Sequence, residues 1–361
     1  MKKIKLFDPI SNQNEEKELI EILRSGFWAS GTGTGKVSKF EQEFKKYTKT
    51  KSCVAVNSGT AALHLALGEA NISGKEVLLP SLSFVSTANA VLYNKGIPVF
   101  VDVDKKTLCM DPKQVEEKIS KKTKVILPVH FGGMPANIEK IKKIAKNNNC
   151  LIIEDAAHAC GTNFKNKKIG SHGDMCCFSF HPVKNLAMPT GGLITINTKN
   201  HLKIKKSLFE KRWCGISNRE GVKYDVKQIG WNYYMNEFSA GIGLLQLKKI
   251  DRLNKIRKNI AKRYSKELSI SQKMPFSQNS VYHFYWIIVN NRDEFREKFD
   301  KAGIETGVHY QPIHQMSLYK TKTKLPITEE ISKKIVTLPT HPNLKKSEID
   351  KIIKLANSIA K

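Results

Sequence analysis

The stretch Leu151-Ile-Ile-Glu-Asp155 decides the fold, because three apolar residues run straight into two carboxylates. A short, continuous apolar run of this kind is typical of a strand buried on both faces of a largely parallel sheet. Similar runs lie at 52–57, 76–79, 98–103, 125–129, 176–180 and 193–196. Helical patterns separate several of them, such as the apolar stripe of Ile138, Ile141, Ile144 and Ala145. This alternation predicts a doubly wound α/β domain, a mostly parallel sheet flanked by helices.

The pattern changes in the last third of the chain. A long helical stretch runs from about Met235 to Tyr264. A strand-like run, a helix, an extended segment and an amphipathic helix follow it, at 281–289, 292–302, 303–310 and 347–360. We therefore predict two domains. Residues 1–245 form a large α/β domain that includes the N-terminal segment, and residues 246–361 form a small C-terminal α+β domain joined by the long helix.

The amino-acid composition excludes several classes of function. The 361 residues include 61 Lys and Arg against 33 Asp and Glu, which gives a formal net charge of +28. The cations are scattered among acids without a run of five, so they indicate a solvated surface, and we expect no nucleic-acid partner. No apolar run reaches the roughly 18 residues of a membrane span, so we expect no membrane insertion. Seven cysteines without a CxxC pair, and an N-terminus without an apolar leader, predict reduced thiols and a cytoplasmic location.

The stretch Gly31-Thr-Gly-Thr-Gly35-Lys36 is similar to a phosphate-binding P-loop but lacks its spacing. A P-loop has a glycine five residues before its Gly-Lys pair and a serine or threonine after it. Ser30 and Val37 occupy those two positions, and no buried strand precedes the stretch. A flexible loop is the better interpretation.

A group of histidines and cysteines invites a metal-site interpretation. Its members are His158, Cys160, His172, Cys176, Cys177 and His181. Zinc sites usually have a pair of cysteines two to four residues apart, whereas two adjacent cysteines on a strand point to opposite faces. We expect buried thiols and hydrogen-bonded histidines here, and no metal.

Three further sequence features are each common in proteins, but their combination is specific for one kind of ligand. Ser58-Gly59-Thr60 follows a strand and opens a helix, where backbone N–H groups and the helix dipole favour an anion. Asp155 ends a buried strand, where open α/β sheets bind ligands. Lys184 follows another apolar strand, 29 residues later in the chain. Pyridoxal phosphate (PLP) needs these three groups: an anion site for its phosphate, a carboxylate for its pyridine nitrogen and a lysine for a Schiff base.

With these residues the chain resembles the DegT/DnrJ/EryC1/StrS family of PLP-dependent nucleotide-sugar aminotransferases, which have the fold-type-I architecture. The resemblance covers nearly the whole chain, and its motifs come in the family's order. They are Asn57-Ser-Gly-Thr-Ala-Ala-Leu63, Leu79-Pro-Ser-Leu-Ser-Phe-Val-Ser-Thr-Ala-Asn-Ala90, Pro98-Val-Phe-Val-Asp-Val-Asp104, Val129-His-Phe-Gly-Gly-Met-Pro135, Ile153-Glu-Asp-Ala-Ala-His-Ala159, Phe178-Ser-Phe-His-Pro-Val-Lys184, Gly230-Trp-Asn-Tyr-Tyr-Met-Asn-Glu-Phe-Ser-Ala240 and His309-Tyr-Gln-Pro-Ile-His314.

The resemblance implies roles for the residues that match. Lys184 matches the Schiff-base lysine and Asp155 the carboxylate on the pyridine nitrogen, so these two are the implied catalytic residues. The other implied cofactor-binding residues are Gly59 and Thr60 at the phosphate, Ser179 with a hydroxyl there, Phe84 stacked on the ring, and His158 beside the cofactor.

The resemblance also implies a partner subunit and a substrate pocket. Asn232 matches a residue that reaches the phosphate of the neighbouring subunit's cofactor, which implies a homodimer with composite active sites. The implied substrate-binding residues are His309, Tyr310 and His314. The family usually has Gly-Glu-Gly-Gly after the lysine and often an arginine later in the chain, where this chain has Pro189-Thr-Gly-Gly192 and Tyr234.

The implied reaction transfers an amino group from L-glutamate to a nucleotide-linked keto-deoxysugar and makes an aminosugar for surface glycans. The family's frequency favours a 4-keto sugar as acceptor, and the sequence leaves the nucleotide and the aminated carbon, C3 or C4, open. One alternative is a PLP-dependent dehydratase or other lyase on the same fold. Family dehydratases replace the lysine with histidine, and Lys184 favours the aminotransferase. A basic nucleic-acid-binding regulator is a further alternative, but it would need clustered cations with stacking aromatics, which the sequence lacks.

Overall fold

A computed structural model describes residues 3–359 of the chain. The α-helices are α1 (Gln13–Ser25), α2 (Lys36–Thr48), α3 (Gly59–Glu69), α4 (Ser86–Tyr93), α5 (Pro112–Lys118), α6 (Ile138–Asn147), α7 (His201–Arg212), α8 (Glu237–Glu267), α9 (Arg292–Lys301), α10 (Pro326–Lys334) and α11 (Lys346–Ile359). The strands are β1 (Ser52–Val56), β2 (Glu76–Pro80), β3 (Ile97–Val101), β4 (Thr123–Ile126), β5 (Leu151–Asp155), β6 (Asn163–Phe164), β7 (Lys167–Lys168), β8 (Met175–Ser179), β9 (Gly192–Ile196), β10 (Ile216–Glu220), β11 (Lys223–Val226), β12 (Tyr285–Ile288) and β13 (Ile335–Leu338). Ala360, the predicted end of the last helix, lies outside the described residues, as do residues 1, 2 and 361 of the predicted domains.

Seven strands form one sheet in the order β1-β9-β8-β5-β4-β2-β3. The strands β3, β2, β4, β5 and β8 run parallel to one another, whereas β9 runs antiparallel to both β1 and β8. Each of the seven matches a run predicted from the sequence, with ends that differ by a few residues at most. The predicted α/β fold with a mostly parallel sheet is confirmed.

Helices cover both faces of the sheet, which explains why its strands are continuous apolar runs. In β1, Val54 and Val56 pack into the cluster formed with α3, whereas Cys53 and Ala55 pack into the cluster formed with α2. The two adjacent cysteines of β8 separate in the same way, with Cys177 in the first cluster and Cys176 in the second. They therefore point to opposite faces, as predicted.

The last third of the chain packs against the sheet through α8. The side chain of Asn236, just before the helix, caps its start by accepting a hydrogen bond from Ser239 N–H. One continuous apolar cluster joins Ile126 and Ile152 of the sheet to Tyr264 of α8 and Trp286 of β12. The predicted domain boundary between residues 245 and 246 falls inside α8, and the division stays a prediction.

The segment after α8 differs from the predicted long strand at 281–289. Tyr282 has a left-handed backbone (φ 48°), and the backbone N–H of His283 donates to Gly132 O. The strand therefore starts only at Tyr285, where β12 pairs with β13. Residues near the N-terminus pack against this C-terminal part of the chain: Ile4 forms a β-bridge with Ile304, and Phe7 stacks on His283.

The glycine-rich stretch at 31–35 forms a turn in front of α2. The Glu237 carboxylate accepts hydrogen bonds from the backbone N–H groups of Lys36 (2.7 Å) and Val37 (3.3 Å). A carboxylate thus already occupies the helix N-terminus where a P-loop would bind phosphate, which agrees with the sequence interpretation.

None of the described helices is both long and apolar enough to cross a membrane.

Candidate active site

A cavity of about 340 Å³ lies where β5 and β8 end, and it brings most of the predicted site residues together. Of those residues, the ones that line it are Gly59, Thr60, Phe84, Asp155, His158, Ser179, Lys184, His309 and Tyr310. Its position at the carboxyl ends of parallel strands is the usual ligand position of an open α/β sheet. The elements that surround it come from all parts of the chain.

The start of α3 forms a cradle with very little free space. Ser58 caps the helix, and its hydroxyl accepts from Ala61 N–H at 3.1 Å. A Cβ on Gly59 would lie 2.7 Å from the Cβ of Ser179, and a Cβ on Gly192 would lie 2.2 Å from Ser58 O. Both positions therefore require glycine, so that β8, β9 and α3 approach closely enough for their backbone and hydroxyl groups to face one anion.

Asp155 is the last residue of β5 and is 4% exposed. Its Oδ2 accepts from the Thr87 hydroxyl at 2.8 Å, and its Oδ1 accepts from Ala157 N–H at 3.1 Å. Burial raises the pKa of the Asp155 carboxyl, while these two donors and the charge of Lys184 act against that rise. Each carboxylate oxygen keeps a lone pair for a ligand in the cavity.

Lys184 follows β8 in a tight turn in which its backbone N–H donates to His181 O at 2.8 Å. The side chain is half-buried in the cavity wall. Burial lowers the pKa of the Lys184 amine to about 8, although the negative charge of Asp155 opposes the change. The amine is therefore much closer to neutrality at physiological pH than an exposed lysine, which makes it a usable nucleophile and base.

His158 and Tyr310 form a hydrogen-bonded pair in the wall. Nδ1 of His158 accepts from Gly132 N–H at 3.4 Å, so Nε2 carries the ring proton and donates to the Tyr310 hydroxyl at 3.1 Å. Burial, together with the charge of Lys184, lowers the pKa of His158 well below its usual range. His158 is thus neutral, and the proton of the Tyr310 hydroxyl is free to donate into the cavity.

His309 lies beside this pair, and its Nδ1 is 2.8 Å from the Thr337 hydroxyl. Burial, again with the charge of Lys184, lowers the pKa of His309 to about 3, so this histidine is also neutral. Phe84 is 55% exposed at the mouth of the cavity, with its ring 6.0 Å from that of Tyr310. An exposed aromatic face at a cavity mouth is available to stack on a planar ligand.

Comparison with known proteins agrees with this arrangement. The DegT/DnrJ/EryC1/StrS aminotransferase family matches residues 9–356. GDP-perosamine synthase of Escherichia coli O157:H7 is 33% identical, with 97% of this chain and 96% of the relative covered. Spore coat polysaccharide biosynthesis protein SpsC of Bacillus subtilis is also 33% identical, with 98% and 96% covered. The chain belongs to the DegT/DnrJ/EryC1/StrS aminotransferase family.

Solved structures place the fold in the same group. A putative sugar aminotransferase of Streptococcus pneumoniae in its PMP form has a TM-score of 0.93 at 28% identity, with 99% of this chain and 98% of that chain covered. Helicobacter pylori PseC, an aminotransferase of pseudoaminic acid biosynthesis, has a TM-score of 0.93 at 26% identity, with 99% of each chain covered. The predicted family, fold and enzyme class of this DegT/DnrJ/EryC1/StrS aminotransferase are confirmed.

PLP is the cofactor of the DegT/DnrJ/EryC1/StrS aminotransferases, and the S. pneumoniae relative is also known in its PLP form. The cavity of this chain fits the cofactor, because Ser58, Gly59, Thr60 and Ser179 line one part of it at the start of α3, where backbone N–H groups and hydroxyls can bind a phosphate. Asp155 stands inside the cavity with free lone pairs, and Lys184 provides an amine of lowered pKa in the same space. The predicted cofactor is confirmed.

Two predicted site residues of this aminotransferase do not line the cavity. Asn232 is exposed on the surface, and its backbone oxygen accepts from the Asn57 side chain. His314 is buried, with Nδ1 2.7 Å from the Ser81 hydroxyl and Nε2 3.2 Å from Glu329. Both ring nitrogens of His314 are therefore engaged within the protein, and its assignment to the segment that borders the substrate pocket stays a prediction.

The sequence reasoning missed three residues of the DegT/DnrJ/EryC1/StrS site. Phe7 and His283 line the cavity, and Thr87 holds Asp155 from behind. His283 carried a weak signal, as a lone histidine in an apolar run, and Thr87 another, as a hydroxyl among small apolar residues. Phe7 had none, because only the folded chain brings the N-terminus to the site.

Proposed function

We propose that this enzyme transfers the amino group of L-glutamate to the keto carbon of a nucleotide-linked keto-deoxysugar, which yields an aminosugar for a surface glycan. The observation that carries the proposal is the pairing of Lys184 with Asp155 in one enclosed cavity beside an anion cradle. The relatives support the substrate class, because one is a GDP-perosamine synthase and another a spore coat polysaccharide biosynthesis protein. A cytoplasmic location stays a prediction from the sequence.

Each catalytic group has a definite task in this reaction. Bound PLP supplies an aldehyde carbon that accepts the amino group and a ring that draws electron density away from the reacting carbon. Lys184 would hold and release a proton at its Nζ during the transfer, because its pKa of about 8 suits both directions near neutral pH. Asp155 would hold the ring nitrogen of the bound cofactor.

The substrate side of the cavity is lined by groups that stay uncharged. His158 fixes the oxygen of the Tyr310 hydroxyl, so that the hydroxyl proton points to a substrate oxygen in the cavity. His309 stays neutral because of its low pKa. Neutral donors beside Lys184 orient a sugar by hydrogen bonds without adding a second positive charge to the lysine.

A homodimer with composite active sites is part of the proposal. Exposed Asn232 lies between Trp231 and Tyr233, whose rings wall a surface cleft. That cleft includes Ser58 and Thr60, which also line the cavity. In a two-fold dimer both chains use the same interface patch, so in a dimer that contains this cleft in its interface, Asn232 of a second chain would stand next to the phosphate cradle.

The decisive experiment supplies purified holoenzyme with nitrogen-15-labelled L-glutamate and a panel of nucleotide-linked keto-sugars. We expect one sugar to gain labelled nitrogen, detected by mass spectrometry of the product, while glutamate becomes its keto acid. A sugar that loses water without gaining nitrogen would identify a dehydratase instead. Labelled product from alanine but not from glutamate would replace the proposed donor.

A further inference from the structure

Two buried hydroxyl residues, Thr87 and Ser83, form a hydrogen-bonded chain that starts at Asp155. The Thr87 side chain lies 2.8 Å from Asp155 Oδ2, and the Ser83 hydroxyl lies 2.8 Å from the Thr87 hydroxyl. Thr87 is fully buried, and Ser83 is 3% exposed. Among these three residues, Ser83 and Asp155 line the cavity, whereas Thr87 is reached only through them.

The direction of the two hydrogen bonds follows from the chemistry of their ends. An ionised carboxylate can only accept, so the Thr87 hydroxyl donates to Asp155. Its single proton is then used, so the Thr87 oxygen accepts from the Ser83 hydroxyl. The result is a one-way chain from Ser83 through Thr87 to Asp155, in which each bond strengthens the next.

The helix does not need the Thr87 hydroxyl. Thr87 is the second residue of α4, but its backbone N–H already donates to Phe84 O, and the side chain caps no backbone group of the helix. Its neighbours Ala88, Ala90 and Val91 are apolar and fully buried. A valine would fill the same volume in this environment, so the observed hydroxyl points to its partner, Asp155.

We propose that Thr87, supported by Ser83, is a positioning residue that holds the Asp155 carboxylate in the orientation needed to pair with the ring nitrogen of the bound cofactor. Oδ1 is held by Ala157 N–H and Oδ2 by Thr87, so the carboxylate cannot rotate without losing a donor. The proposal rests on the contact of Asp155 with the ring nitrogen that the proposed function contains. What it adds to that function is the role of Thr87, which fixes the carboxylate for this contact.

The test measures cofactor affinity of the apoenzyme, without any sugar substrate. Thr87→Val removes the hydroxyl at nearly constant volume, and Thr87→Ser retains it as the conservative rescue. Each variant is titrated with PLP and with the deaza analogue in which a C–H replaces the ring nitrogen. We expect Thr87→Val to weaken PLP binding about tenfold or more, as for a lost hydrogen bond to a charged group, and to change binding of the analogue by less than about twofold. Thr87→Ser should bind both as the wild type does.

Equal losses for PLP and its analogue in Thr87→Val would overturn the proposal, since a structural defect does not distinguish the two ligands. Unchanged PLP affinity would overturn it as well. If Thr87→Val does not fold, Ser83→Ala serves instead, with a smaller loss that must again be confined to PLP. Asp155→Ala is the reference variant and should lose affinity for PLP but not for the analogue. Equal losses in this variant would show that Asp155 does not contact the ring nitrogen, and this result does not depend on which sugar the enzyme uses.

Discussion

Lys184 and Asp155 share one cavity, and burial changes their pKa values in opposite directions. It lowers the pKa of the Lys184 amine to about 8 and raises the pKa of the Asp155 carboxyl. Both shifts favour the neutral forms, while the attraction between the two charges opposes them. The hydrogen bonds from Thr87 and Ala157 also favour the charged form of Asp155, and Lys184 has no such bonds from these residues. The two groups therefore stabilise each other's charged forms against the effect of burial.

The lysine assignment has a direct chemical test. We predict that Lys184→Ala abolishes transamination and that borohydride no longer fixes the cofactor to the protein, because no other lysine lines the cavity formed by the described residues. Intact-mass spectrometry after reduction measures the fixation. Lys199→Ala, at an exposed lysine outside the cavity, is the matched control and should keep both properties. Fixation in the Lys184 variant would assign the bond to another lysine.

The lowered pKa of Lys184 predicts a pH profile for reconstitution of the apoenzyme with PLP. Only the neutral amine adds to the aldehyde, so the rate should rise about tenfold per pH unit below pH 8 and level off above it. Asp155 and four histidines, His158, His181, His283 and His309, line the cavity with this amine, and burial lowers the pKa of each histidine. A rate that keeps rising to pH 10, measured by stopped-flow absorbance, would contradict the shift.

At the level of secondary structure, the ends of β4 and β5 are tied together by a buried pair, His130 and Glu154. Nδ1 of His130 accepts from Ala136 N–H, so Nε2 donates to Glu154 Oε2 at 2.9 Å. Glu154 Oε1 accepts from Gly173 N–H. Burial disfavours the charged carboxylate, but these bonds outweigh it, and the pKa of Glu154 is lowered. The pair fixes the strand end that carries Asp155.

Glu154→Gln should therefore destabilise the apoenzyme by about 2–4 kcal/mol, because the amide NH2 that replaces one carboxylate oxygen faces one of the two donors, His130 Nε2–H or Gly173 N–H, and leaves it without an acceptor. The denaturant midpoint measures this, with Glu139→Gln as the matched control at an exposed ion pair to Lys165. The control should change stability by less than about 0.5 kcal/mol. Similar midpoints for both variants would show that the pair adds nothing.

The elements also show which parts of the fold the sequence could predict. The seven strands of the sheet were found because burial on both faces leaves long apolar runs. The hairpin of β6 and β7 was not found, since its strands are two residues each and partly exposed. Its turn is made by Lys165 and Asn166, both with left-handed backbones (φ 47° and 62°), and only the asparagine is typical of such a turn.

Within the whole molecule, the site divides into parts that the sequence predicts and parts that it does not. Gly59, Asp155 and Lys184 each follow a strand in a recognisable local pattern, so the sequence places them. The contacts of His314 with Ser81 and Glu329 could not be predicted, because they depend on tertiary packing. The contribution of Phe7 depends on the N-terminus crossing to the C-terminal region, which no local pattern encodes.

The proposed dimer predicts complementation between two defective chains. Chains with Lys184→Ala and chains with Asn232→Ala, each inactive or weak alone, should regain activity when mixed and allowed to exchange subunits. In a mixed dimer, one site combines an intact Lys184 with an intact Asn232 from the other chain. Differently tagged subunits verify that mixed dimers form. Mixed dimers without regained activity would contradict the composite site, and two tagged Lys184→Ala chains provide the blank.

The reversed strand β9 has a consequence for the order in which the chain folds. It lies between β1 and β8 and pairs Ile196 with Ser52, residues that are far apart in the chain. Contacts between such distant residues form late, because a long loop must close first. The phosphate cradle needs Gly192 of this strand against Ser58. We therefore expect the phosphate cradle to be complete, and the cofactor to bind, only after β9 has joined the sheet.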